Sequence, residues 1–183
     1  MTKFEFLSVL ISIVLGLGMT QLLSNLHRLV QARQRVRLYW LPLAWAALIF
    51  VSQVEWWWAM IDVEETAETW TFFYFLFMLL SPVVLYLAAA FALPTVEAGH
   101  SYDLRAYYYD TRQWFFGALA LQVTFDAIRR AIQAGTVADF GALSNAVTAV
   151  VLGVLTVTRR EWYHALVTFA VSALFLVFLI SEL

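Results

Sequence analysis

The chain has 183 residues, 63% of them hydrophobic and only 13% charged, against roughly 25% charged in an ordinary soluble domain. That much apolar surface exceeds what a soluble protein of this size can bury, and a mean hydropathy of +0.77 agrees, so the composition describes an integral membrane protein. A net charge of −2 without a Lys/Arg cluster excludes a nucleic-acid partner, and the lack of cysteine excludes disulfides, thiolate metal sites, Fe–S clusters and cysteine nucleophiles.

A spanning helix needs about 20 mostly apolar residues. Six runs qualify, near residues 4–26, 38–61, 70–93, 113–132, 137–158 and 162–180. They are continuous rather than alternating, which predicts an all-α, polytopic bundle of six transmembrane helices and not a β-barrel. The whole chain, 1–183, reads as one transmembrane domain.

Before the first run stands only Lys3, followed by Glu5, and no small-residue cleavage pattern comes after it, so the segment is expected to be a retained helix rather than a signal peptide. Its second half carries Thr20, Gln21, Ser24, Asn25, Arg28 and Gln31 at helical spacing, after Gly16 and Gly18. Small residues and amides at that spacing serve as interhelical glue. Alternatively Gln21 and Asn25 line the inner half of a permeation path.

The second run ends in Ser52, Gln53, Glu55 and then Trp56-Trp57-Trp58. Glu55 is the only acid in that run. It is either a cation or proton site beside an aromatic collar, since indole faces attract cations, or a headgroup-level residue in an aromatic belt with Trp70 and other tryptophans. Arg129 is expected at a similar depth, as a cross-helix partner.

In the third run, Ser81-Pro82 predicts a kink or hinge at mid-depth. Tyr107-Tyr108-Tyr109 is expected in the following loop as an interfacial stretch. The fourth run is the most interrupted. Gln122, Asp126, Arg129, Arg130 and Gln133 form one helical stripe, with Asp126 and Arg130 as an i,i+4 pair and Arg129 also within reach of Asp126. Charged groups in lipid cost about 2.5–3.5 kcal/mol each on the insertion scale, so the stripe must face helices or water. It is either the wall of a polar pathway or a neutralised pair that docks the helix.

The fifth run offers a small-residue packing face, Ala142, Ala146, Ala149 and Gly153, with Ser144, Asn145 and Thr148 beside it. Asn145 is a further pathway candidate. In the sixth, His164 near the helix end is expected to be interfacial.

Arg28, Arg33, Arg35, Arg37, Arg105, Arg112, Arg159 and Arg160 all fall in or beside the first, third and fifth connections. The positive-inside rule puts these in the cytoplasm and both termini outside, in a plasma or inner membrane. Asp62, Glu64, Glu65 and Glu68 then face outward. Leu26–Ala32 and Ile128–Ala134 align without gaps, which suggests a weak 3+3 inverted repeat of the kind found in secondary transporters.

His27, His100 and His164 are scattered, and no zinc, haem, phosphate-loop or hydrolase motif appears, so no cofactor or metal is expected. His100, Asp103 and Asp110 are at most a weak acid–base group in the third connection. The composite expectation is a small channel or transporter for an ion or small solute, forming a homo-oligomer in the lipid bilayer. Its pathway residues would be Glu55, Gln53, Gln122, Asp126, Arg129, Arg130, Asn145, Gln21 and Asn25. The alternative is a membrane-embedded sensor or partner subunit that engages a cytoplasmic protein through its basic first loop and tyrosine-rich third loop.

Overall fold

The computed structural model describes residues 3–60, 71–96 and 101–181. The expectations placed on Asp62, Glu64, Glu65, Glu68, Trp70, His100 and the side chain of Gln133 lie outside the described residues. Within them the chain is six α-helices: α1 (Lys3–Gln31), α2 (Trp40–Trp58), α3 (Phe72–Ala92), α4 (Leu104–Ala134), α5 (Phe140–Val157) and α6 (Glu161–Ser181). A 3₁₀ turn (Arg33–Arg35) and two short strands, β1 (Val36–Arg37) and β2 (Tyr102–Asp103), complete the described elements.

Among the described residues four helices are long and apolar enough to cross a membrane: α1, α3, α5 and α6. With the composition, this identifies a membrane protein with transmembrane helices. The other two fall short of that apolarity. α2 holds Gln53 and Glu55, and α4 holds Gln122, Thr124, Asp126, Arg129 and Arg130. α4 is nonetheless the longest helix, with 31 residues. At 1.5 Å per residue it reaches about 46 Å, more than the ~30 Å of a hydrocarbon core.

α4 begins nine residues before the expected span because its start is set by a cap and not by apolarity. The Asp103 carboxylate accepts from the backbone N–H groups of Arg105 and Ala106, at 2.9 and 3.2 Å. Tyr107, Tyr108 and Tyr109 therefore sit in the first turns of α4, not in an interfacial loop, and Tyr108 is buried. The helix ends at Gly135, whose φ of +65° gives the left-handed C-cap that an L side chain seldom adopts. Asp139 then caps α5 by accepting from the N–H of Ala142. The connection is so short that α4 and α5 pack along each other as a hairpin. α3 runs through Pro82 without interruption.

The first, third and fifth connections meet at one end of the bundle. Val36 pairs with Tyr102 and Arg37 with Asp103 in a two-stranded parallel ladder. Arg37 also lies 3.5 Å from the Asp103 carboxylate. Glu161 receives a hydrogen bond from the Tyr39 hydroxyl at 3.0 Å and an ion pair from Arg105 at 2.7 Å. The adjacent carboxylate raises the Arg105 guanidinium pKa. Three loops that carry eight arginines in or beside them thus form one platform.

Two apolar clusters fill the interior. One joins Leu7, Ile11 and Leu15 of α1 to Trp56, Met60, Met78 and Leu85. The larger lies toward the platform and centres on Trp45, Ile49, Tyr108, Phe115, Phe116 and Leu155. α1 packs chiefly on α3, whereas α4, its counterpart in a two-half reading, packs chiefly on α5.

Candidate functional site

The polar stripe of α4 faces inward. Gln122 is only 4% exposed and donates from its amide nitrogen to Ser81 Oγ of α3 at 3.0 Å and to the Asp126 carboxylate at 3.3 Å. Of its two expected partners Asp126 takes Arg129, at 3.5 Å and i,i+3 spacing, and not Arg130. Arg130 instead leads toward α5. A methyl group placed on Gly141 would stand 3.0 Å from its guanidinium and 3.1 Å from Asp139, so the missing side chain at Gly141 makes room for the arginine.

This stripe forms one wall of a cavity of about 510 Å³, within the ~300–1,000 Å³ usual for small-molecule sites. α2 contributes Ser52, Glu55 and Trp56. α5 contributes Ser144, Asn145 and Thr148, and the second half of α6 adds Leu174, Phe175, Val177 and Phe178. Six of the nine residues singled out from sequence therefore line one space: Glu55, Gln122, Asp126, Arg129, Arg130 and Asn145.

The charged lining balances, with two carboxylates (Glu55, Asp126) and two guanidiniums (Arg129, Arg130). Four buried polar atoms of its lining residues have no hydrogen-bond partner: Trp45 Nε1, the Gln122 amide oxygen, Asp126 Oδ1 and Arg129 Nε. Most buried polar groups are satisfied, so these two donors and two acceptors stand out around the cavity. Toward the platform the cavity ends on Trp45, Leu119 and Leu152. Behind Trp45 its ring meets Phe116 at 5.3 Å and Phe115 at 5.9 Å, edge to face. The mouth lies where α6 separates from α5, since Phe140, Leu174 and Val177 are 87%, 64% and 65% exposed.

The other three sequence candidates lie elsewhere. Gln53 is fully buried, and its amide is packed against Gly18 of α1 with neither polar atom hydrogen-bonded. Asn25 is buried and donates to the Leu93 carbonyl at the end of α3, at 3.0 Å. Gln21 reaches Asn25 at 3.5 Å. Those two tie the platform ends of α1 and α3 together.

Sequence reasoning missed His164. It is fully buried rather than interfacial. One ring nitrogen, Nδ1, is 2.9 Å from the Tyr108 hydroxyl, and Nε2 is 3.1 Å from the Thr158 carbonyl. A carbonyl only accepts, so Nε2 carries the proton and Nδ1 accepts from tyrosine. Tyr108, Tyr109 and Phe116 surround the ring edge to face at 5.2–5.5 Å. The available signal was the four-residue spacing of His164 and Thr168, both buried on one face.

Among the described residues no group of His, Cys, Asp and Glu is arranged to hold a metal ion. No family model matches the chain, and no curated protein or solved structure is detectably similar to it.

Proposed function

We propose that the protein is a six-span carrier of a small solute, which it binds in the cavity walled by α2, α4, α5 and α6. The observation that carries the reading is the Gln122–Asp126–Arg129 network, which lines one half-open cavity together with Glu55 and has Gln122 buried. Groups this costly in lipid are kept where water or a ligand reaches them. The cavity ends on Trp45, Leu119 and Leu152 instead of continuing through the bundle, which favours a carrier over an open channel.

In this reading α2 and α4 also cross the membrane, with their polar residues turned away from lipid. The meeting of the odd-numbered connections at one end supports an alternation of six spans. The arginine-rich platform is cytoplasmic, both termini are external, and the membrane is a plasma or inner membrane. The 3+3 inverted repeat rests on the sequence match alone. A path completed between protomers of a homo-oligomer is part of the same proposal. Solute flux into liposomes tests it. Asp126→Asn and Glu55→Gln are expected to alter flux while the protein still assembles, and flux unchanged by both defeats the reading.

A second reading has its own support in the platform, where Arg105, Glu161 and Tyr39 lock three loops into one surface. A sensor or partner subunit would present such a surface to a cytoplasmic protein. Stoichiometric capture of a partner, lost when Arg33, Arg35 and Arg37 are changed to Gln, would favour it over transport.

A further inference from the structure

The cavity has two chemically different ends. Its inner part is apolar, with Trp45, Leu119 and Leu152, and its outer part holds the four charged groups. Its mouth is edged by Leu174 and Val177, exposed apolar residues on the outer surface of the bundle. A solute from water would meet that lipid-facing edge as a barrier, whereas a molecule dissolved in the bilayer would meet it as a continuation of its own surroundings.

The charges narrow the head of such a molecule. Two carboxylates against two guanidiniums leave no net charge to neutralise, and a ligand with a net charge would bring an uncompensated one into a low-dielectric space. The unpartnered atoms ask for both kinds of hydrogen bond. Among the lining residues, Trp45 Nε1 and Arg129 Nε lack an acceptor, and the Gln122 amide oxygen and Asp126 Oδ1 lack a hydrogen-bond donor.

We propose that the cavity binds a single-chain zwitterionic amphipath. The anionic part of its head sits on Arg129 and Arg130, and its ammonium lies beside Glu55 and the Trp56 indole. The chain lies along Leu119 and Leu152. This rests on the cavity being the binding site of the carrier and names the substrate class.

Native mass spectrometry of the protein released from maltoside micelles tests it with three probes. These are lauroyl lysophosphatidylethanolamine, dodecyl phosphate as an anion with the same chain length, and glycerophosphoethanolamine as the head alone. One bound lysolipid is expected, with both controls at least about tenfold weaker. Arg129→Gln leaves Asp126 without its cation and risks misfolding, so Asp126→Asn combined with Arg129→Gln keeps the lining neutral. That double variant should weaken lysolipid binding by about tenfold, and Leu174→Trp, at an exposed position on the mouth, should weaken it without touching the charges.

Equal binding of dodecyl phosphate overturns the zwitterionic assignment. Equal binding of the head alone overturns the amphipath and leaves a polar-solute carrier standing. Lysolipid binding unchanged in the double variant marks it as adventitious and overturns the proposal. Absence of lysolipid binding with solute flux that still responds to Asp126→Asn overturns this inference but not the transport reading.

Discussion

Gly18 provides the sharpest test of how α1 and α2 are packed. A methyl group added there would fall 2.8 Å from Nε2, 3.0 Å from Oε1 and 3.2 Å from Cδ of Gln53. Gln53 is 0% exposed, so its amide has no open space into which to swing. Either α1 and α2 move apart or the glutamine leaves its rotamer, and overpacking of this kind costs about 1–3 kcal/mol. Gly16 is the internal control, because a methyl group there meets nothing within 4 Å. Each Gly→Ala change gains roughly 1 kcal/mol of helix propensity, and this cancels in the difference between the two variants. Gly18→Ala is therefore expected to be less stable than Gly16→Ala by about 1–3 kcal/mol. Reversible unfolding in mixed detergent micelles, followed by helical circular dichroism, measures both. In a Gln53→Ala background the gap should close, since the obstructing amide is gone. Equal stability of the two single variants would refute the close approach of α1 and α2 at this point.

His164→Phe keeps an aromatic ring, somewhat larger than imidazole, but removes both hydrogen bonds to the Tyr108 hydroxyl and the Thr158 carbonyl. A loss of about 1–3 kcal/mol per orphaned group is expected in the same unfolding assay, with less than additive loss when combined with Tyr108→Phe. Asn25→Leu is close to isosteric and withdraws the donor from the Leu93 carbonyl, so about 1–3 kcal/mol should be lost and the α1–α3 contact should loosen first in hydrogen exchange. Glu161→Gln acts on a solvent-exposed pair and should change stability little, but it should remove whatever salt dependence the Arg105 pair gives the platform.

The helices were legible from hydropathy because a membrane span is announced by length and apolarity, and these two properties place α1, α3, α5 and α6 closely. The start of α4 was not legible that way. Its first turns, Leu104 to Arg112, are too polar to resemble a span, and the local signal was the Asp103 cap. Reading that cap would have placed Tyr108 inside the bundle. The two-residue pairing of β1 with β2 had no signature, since so short a ladder depends on where the helix ends lie and not on strand propensity. His164 was misplaced because position along the chain gives depth in the membrane but not the azimuth of a side chain. Depth alone suggested an interfacial ring, whereas the packing of α4 against α2 and α6 enclosed it.

The same distinction accounts for the site. Polar residues at spanning depth can be found in a sequence, but whether they share a space depends on which helix faces meet. Gln53 and Glu55 lie two residues apart on α2 and take opposite roles. Gln53 turns to α1 and meets Gly18, and Glu55 turns to the cavity. On α4, by contrast, Gln122, Asp126 and Arg129 follow one face, so their common destination was implied by spacing. The two helices that fall short of a simple hydropathy criterion are also the two that bring the acids and arginines to the cavity. The polar residues of these two helices are tolerable because α1, α3, α5 and α6 supply most of the lipid-compatible surface. Unpartnered buried atoms alone do not mark a site, since Gln53 against Gly18 and Arg112, both outside the cavity, keep them too. What sets α2 and α4 apart is that Glu55 and the Gln122–Asp126–Arg129 network line one cavity, and the proposed binding site rests on that convergence.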